Sequence, residues 1–214
     1  MAEPVEVYIE AGAKRVFACA YEWPGWCRGA KSEDVALESL VSYAPRYAPV
    51  AAVAKIPFDP NPSPHVVERI RGSVNTDFGV PHEVAPRDRE PLNQEARRQM
   101  LSLVAAAWTV FDKVVEGAPA ELRKGPRGGG RDRDKIVDHV LGAESAYARK
   151  IGLRPAQPSL DDATAIAASR EALLRGLEEA STRSAEEKSW PAPYAARRIA
   201  WHLLDHAWEI EDRS

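Results

Sequence analysis

The two parts of this chain differ in the structure that their sequences favour. Residues 1–90 carry short apolar alternations and runs of β-branched residues, whereas 91–214 are rich in alanine, leucine, arginine and glutamate. The first pattern is typical of strands and the second of helices. Seven prolines between Pro57 and Pro91 predict extended or loop structure where the pattern changes. The sequence therefore predicts an α+β protein, with a small α/β domain over 1–90 and a helical domain over 91–214.

Three strands are predicted at the start of the chain. Residues 5–10 alternate apolar and polar side chains with a period of two, which indicates a half-buried strand. A tight turn at 11–13 and a returning strand at 15–21 complete a hairpin. The Trp-Pro-Gly-Trp segment at 23–26 interrupts this pattern and is expected to lead into a short third strand.

A helix is expected after these strands. Ser32 is a good N-cap residue followed by two acids, and apolar residues recur at helical spacing to about Tyr47, although Pro45 is expected to kink or end the helix early. Two further strands are expected at 50–56 and 66–70, and a loop at 76–79.

Four helices are predicted in the second half. Glycines and prolines separate four segments with high helix propensity, and Ser159 is the expected N-cap of the third. A flexible link is expected at 125–130. Short links between successive helices favour an up-and-down four-helix bundle. The expected helices cover 93–116, 132–151, 159–182 and 193–211.

Composition narrows the class of protein. The net charge of −3 gives no electrostatic reason to expect nucleic acid or an anionic membrane as a partner. No signal peptide is visible and no apolar window is long enough to span a bilayer, so a cytoplasmic protein is expected. Cys19 and Cys27 are then expected to be free thiols, Cys19 buried on a strand and Cys27 more exposed.

Three histidines form the candidate site. His202 and His206 lie four residues apart on the last predicted helix, so both imidazoles lie on one face and can reach one ion. His139 lies within the second predicted helix of the bundle. Bundles build metal sites from facing helices, so these three nitrogens predict a divalent metal site, with zinc, nickel or iron as candidates. A histidine pair at this spacing also occurs at ordinary packing boundaries.

Several neighbours are candidates for supporting roles. Glu209 and Asp205 are candidates for a fourth ligand, an acceptor for an imidazole N–H, or a catalytic base, and Glu144 for similar support. Trp201, beside His202, is expected in the core or a pocket wall. The other neighbours, Arg197 and Arg198, are expected to be a solvated pair, with anion binding as the alternative.

The second half resembles the DinB superfamily of four-helix metal-binding proteins. The resemblance covers about 91–214 and rests on the histidine within 138–144 and on the motif His202-x-x-x-His206. It implies that His139, His202 and His206 carry the metal, and that the reaction is a thiol-dependent transfer or isomerisation with a low-molecular-weight thiol as co-substrate. Many members have glutamine three residues after the last histidine, where this chain has Glu209.

The first half resembles the HicB-like small α/β fold. The matching stretch runs from 17 to 43, with a strand, the Trp-Pro-Gly-Trp-Cys turn and the helix from Ser32. Proteins of this kind are antitoxins and often carry a separate DNA-binding module. This chain has no helix-turn-helix pattern and no basic stripe, and its first half is rich in acids, so nucleic-acid binding is not expected.

Two kinds of function follow from these expectations. The first is a metal-dependent enzyme acting on a small molecule, whose N-terminal domain covers the metal and supplies the pocket residues Trp23 and Trp26. The second is a non-catalytic binding or regulatory module whose metal site is structural or vestigial. The sequence leaves a homodimer open and does not identify the substrate.

Overall fold

The computed structural model of this protein describes residues 4–125, 129–185 and 189–214. Four strands and seven α-helices lie within these residues, which confirms the predicted α+β class. The link expected at 125–130 includes 126–128, which lie outside the described residues. The strands are β1 (Val5–Ala11), β2 (Val16–Ala20), β3 (Cys27–Ala30) and β4 (Pro64–Arg71). The helices are α1 (Glu33–Ser42), α2 (Ala44–Ala54), α3 (Val74–Asp77), α4 (Gln94–Gly117), α5 (Arg133–Lys150), α6 (Ala163–Ala180) and α7 (Ala192–Arg213).

The strands form one mixed sheet in the order β3-β2-β1-β4. The predicted hairpin is confirmed, since β1 pairs antiparallel with β2, and β2 with β3. β4 pairs parallel with β1, and the crossover that a parallel pair requires contains α1 and α2. Val7 and Ile9 point to one face of β1, and Tyr8 and Glu10 to the other. All four are buried, so the protein covers both faces of this strand.

The strand predicted at 50–56 is wrong, because most of this segment belongs to α2. The chain turns at Tyr43, so the interruption predicted near Pro45 is confirmed. Pro45 lies in the first turn of α2, where its missing N–H costs no helical hydrogen bond. Lys55 ends the helix with a positive φ of 59°. The apolar run is too short for its pattern to separate strand from helix, and its three alanines favour the helix.

Residues 76–79 were predicted as a loop, but the first two of them belong to the short helix α3. Ser73 caps this helix, and its backbone N–H donates to Thr76 Oγ1 at 2.8 Å. The Thr76 hydroxyl donates in turn to the buried carboxylate of Glu10 at 2.5 Å. Backbone N–H groups at 82 and 83 also donate to Glu10, so this carboxylate anchors the connection after β4 to the sheet.

The four predicted long helices are confirmed as α4 to α7. Only the start of α6 differs, because the N-cap is Asp162 rather than Ser159. The Asp162 carboxylate accepts the backbone N–H of Ala165 at 2.8 Å. α7 contacts α4, α5 and α6, so it packs against each of the other long helices. No helix in the described ranges is both long and apolar enough to cross a membrane.

One hydrophobic core joins the sheet to the long helices. It continues from Ile9 and Leu40 through Leu103 to Leu204. The two halves pack closely at Gly25: its φ is +92°, and a Cβ built there would lie 2.6 Å from a methyl carbon of Leu204. The sheet half is thus packed directly against the helix that carries two of the candidate histidines.

Cys19 and Cys27 lie opposite each other on β2 and β3 and are both free thiols. Cys19 is buried, as predicted. The expected exposure of Cys27 is wrong, because only 5% of this residue is accessible. Burial raises the pKa of the Cys27 thiol well above its usual value, which disfavours the reactive thiolate.

Candidate metal centre

Three histidine side chains from two helices meet where α5 packs against α7. His202 and His206 lie one turn apart on α7, and His139 lies on α5. The Nε2 atoms of His139 and His202 are 3.2 Å apart. One ring nitrogen of each histidine lies within 4.8 Å of the other two. The predicted grouping is therefore confirmed, and the three nitrogens are close enough to hold one ion.

The apolar residues around the histidines place them at the edge of the helix interface. Leu203 and Ala207 of α7 are fully buried, each directly after one of the histidines. On α5, His139 precedes the buried residues Val140 and Leu141. The histidines themselves are partly exposed. The apolar neighbours thus hold the two helices together, while the histidines remain partly accessible.

Glu209 supports one of the three rings. Its Oε2 accepts a hydrogen bond from Nδ1 of His206 at 2.8 Å, and its Oε1 accepts from Nη1 of Arg213 at 2.6 Å. A carboxylate at Nδ1 places the ring proton there and leaves Nε2 as the free lone pair. Of the three roles open to Glu209 from the sequence, this geometry favours the acceptor for an imidazole N–H.

Two of the three histidines, His139 and His202, are held in the neutral form that binds metals. Burial, followed by the neighbouring histidines, lowers the pKa of His202 to about 2. Burial and His206 also lower the pKa of His139. Both rings are therefore neutral at pH 7, and a neutral imidazole can bind an ion without first losing a proton.

The other two candidate carboxylates contact residues outside the cluster. Asp205 lies 3.0 Å from the Arg28 guanidinium and so links α7 to β3. Glu144 is buried, accepts the indole N–H of Trp108 at 2.5 Å and lies 4.0 Å from Arg170. Burial raises the pKa of Glu144. The structure therefore does not bring Asp205 or Glu144 to the histidines as partners.

The three candidate tryptophans lie in different places. Trp201 is buried, and its ring centroid is 6.4 Å from that of His202. Trp26 is fully buried, stacks on Tyr47 and donates its indole N–H to a backbone carbonyl of α1. Trp23 contacts Tyr47 and Phe58. Of the three, the structure places Trp201 beside the cluster, while Trp23 and Trp26 belong to the aromatic core of the sheet half.

The burial of two arginines on α7 was not predicted from the sequence. Arg197 and Arg198 are each only 6% accessible, so the expected solvated pair is wrong. Arg197 binds both carboxylate oxygens of the buried Asp88. The signal was present in the helical spacing, because both arginines lie on the face between Tyr194 and Trp201, two large aromatic residues that are also buried.

The donor set fits a divalent metal. Three neutral imidazoles suit zinc, nickel or iron(II), and the set alone does not choose among them. A carboxylate behind one ligating ring is a regular feature of protein metal sites. Comparisons with protein-family models, curated proteins and solved structures find no match to this chain. The geometry of the three histidines is therefore the observation on which a function can be argued.

Proposed function

We propose that this protein is a metal-dependent enzyme in which His139, His202 and His206 hold one divalent ion. The observation that carries the proposal is the approach of three ring nitrogens from α5 and α7 to within 4.8 Å. The partial exposure of all three rings supports a site with coordination positions left for water or a substrate. Open positions are typical of catalytic sites, whereas structural sites are closed by four protein ligands.

The protein's own residues prepare this site before an ion binds. Arg213 holds the carboxylate of Glu209, and that carboxylate fixes the tautomer and the orientation of His206. A bound ion supplies Lewis-acid chemistry to a small substrate or a thiol. Because both oxygens of Glu209 are engaged, we assign this residue a positioning role rather than proton transfer.

The resemblance to the DinB superfamily supports a particular reaction class: thiol-dependent transfer or isomerisation of a small molecule. A low-molecular-weight thiol would be the co-substrate, and the cytoplasm is a compartment that keeps such thiols reduced. Cys19 and Cys27 face each other as free thiols, which is consistent with that location. The N-terminal half would act by supporting α7 rather than by lining the metal site with Trp23 or Trp26.

Metal binding by the purified protein tests the first step. Protein stripped with a chelator and titrated with Zn²⁺, Ni²⁺ or Fe²⁺ under anaerobic conditions should bind one ion per chain. His139→Ala and His202→Ala should lose this binding, while His65→Ala, at an exposed histidine on β4, should retain it. Equal metal binding by all four proteins would refute the site.

A structural metal site is the second candidate. An ion shared by α5 and α7 would tie the two helices together, and none of the three histidines lines any of three cavities formed by described residues, beside Gln99, Cys19 and Lys124. Titrating Co²⁺-loaded protein with 2-mercaptoethanol separates the two candidates. A new thiolate-to-cobalt absorption band supports the enzyme, and an unchanged visible spectrum supports the structural site.

A further inference from the structure

Arg198 is a buried cation with few partners. It lies on α7, one turn before His202, and only 6% of the residue is accessible. Its Nη2 donates to the hydroxyl of Tyr147 at 3.3 Å, a long hydrogen bond. Its Nε and Nη1 are buried with no hydrogen-bond partner. A guanidinium carries five N–H donors, so most of the hydrogen-bonding capacity of Arg198 is unused.

Other arginines that pack against the long helices have counter-ions. Arg197 binds Asp88, and Arg170 binds Asp112 at 2.6 Å. Within the described ranges, Arg198 forms no ion pair with a carboxylate within 4.0 Å, and its guanidinium lies over the rings of Tyr147 and Trp201. Burying a charge without a partner costs free energy. A site that retains such a charge gains when an anion binds to it.

The position of Arg198 connects it to the histidine cluster. The hydroxyl of Tyr147 accepts a hydrogen bond from Arg198. The ring centroid of Tyr147 is 5.8 Å from that of His202. The ring of Trp201 lies against both Arg198 and His202. A group bound to the guanidinium from the Tyr147 side would therefore lie beside the histidines.

The surroundings of Arg198 indicate the kind of anion. Aromatic rings border it: Tyr147 lies 5.5 Å and Trp201 4.9 Å from its Cζ, and Trp190 packs against Tyr147. Planar apolar groups fit such walls. A carboxylate is planar and carries one charge, which matches one guanidinium, whereas a phosphate carries more charge than one arginine can neutralise.

We propose that Arg198 binds the carboxylate of a small, planar, apolar carboxylic acid, which is the substrate class of the histidine site. The claim that this acid is a substrate rests on the proposed function, whereas binding of the acid requires only Arg198 and its aromatic neighbours. The carboxylate would replace the long hydrogen bond to Tyr147 and supply the missing counter-charge.

Calorimetric titration of the metal-free protein with benzoate and with its neutral isostere benzamide tests the inference. The protein is metal-free so that benzoate cannot bind to a metal ion instead of to Arg198. Wild-type protein should bind benzoate at least about tenfold more tightly than benzamide, the effect of one charge-assisted hydrogen bond. Arg198→Gln should lose this preference, and Arg198→Lys should keep part of it. Arg46→Gln, at an arginine that pairs with Glu211 and Asp212 at the end of α7, should behave like wild type.

The outcomes separate the inference from the proposed function. Equal binding of benzoate and benzamide by wild type overturns the inference, even if Arg198→Gln does not fold. Tighter binding of inorganic phosphate than of benzoate overturns the carboxylate assignment. A benzoate preference that depends on Arg198, in a protein that binds no metal, supports the anion site and refutes the metal-dependent enzyme. Metal binding without a benzoate preference supports the metal site and overturns the anion site.

Discussion

Oε2 of Glu209 lies 2.8 Å from Nδ1 of His206, and the other carboxylate oxygen is held by Arg213. The three residues form one chain along the last two turns of α7. The contact fixes which nitrogen of the imidazole is free. A glutamine at this position could accept the same hydrogen bond but would not carry the charge.

Substitution of Glu209 should therefore weaken metal binding without abolishing it. We expect Glu209→Ala to lower the affinity for Zn²⁺ by about ten- to a hundredfold, the usual effect of removing a carboxylate that hydrogen-bonds to a metal ligand. Glu209→Gln should have a smaller effect. Competition with a chromophoric chelator measures the change. Glu211→Gln, two residues away and paired with Arg46, is the control. An unchanged affinity in Glu209→Ala would show that this contact does not support a metal ligand.

The buried pair of Asp88 and Arg197 should be important for stability. Asp88→Ala leaves a buried guanidinium without its counter-ion and should lower the free energy of unfolding by about 3–5 kcal/mol. Glu171→Ala removes an exposed partner of Arg175 and should cost less than about 1 kcal/mol. Urea denaturation measures both. The double variant Asp88→Leu/Arg197→Met should recover most of the loss, because it removes both charges together; no recovery would argue against the ion pair as the cause.

Glu144 should make stability depend on pH. Burial raises its pKa in the folded protein, so the folded state binds the proton more tightly than the unfolded state does. Its contribution to stability is therefore present below the ordinary glutamate pKa and is lost as the pH rises through the folded value. Glu144→Gln cannot ionise, so its stability relative to wild type should increase from pH 4 to pH 8. Urea denaturation across this range should show no such trend for the exposed Glu171→Gln.

The contact between the two halves at Gly25 can be tested against a second glycine with the same backbone conformation. Gly25 and Gly152 both have φ of +92°, but a Cβ at Gly152 would meet nothing within 4 Å. Gly152→Ala should cost only the backbone strain, about 1–3 kcal/mol. Gly25→Ala should cost clearly more, because the new methyl group would clash with Leu204 and with the backbone at Ala200. Equal melting temperatures for the two variants would contradict the close packing of the sheet against α7.

Much of the local structure could be predicted because it depends on neighbouring residues in the chain. The alternation of apolar residues predicted β1, and the tight turn after it predicted β2 as the returning strand. Helix propensity with helix-ending glycines predicted α4, α5 and α7 to within a few residues. The prediction failed at α2, where a short apolar run fits strand and helix equally well. It also failed for the burial of Cys27, Arg197 and Arg198, because burial depends on what packs against a residue.

By itself the sequence determined that His202 and His206 share one face of a helix, because four residues make about one helical turn. It also placed His139 on a second helix. Only the tertiary structure decided that His139 meets the pair, because the packing of α5 on α7 sets which faces of the two helices touch. The packing likewise separated the roles of the carboxylates, turning Glu209 toward His206 and Asp205 toward Arg28. Residue spacing along a helix determines which side chains point in the same direction, whereas packing around the shared core determines which residues from distant segments meet.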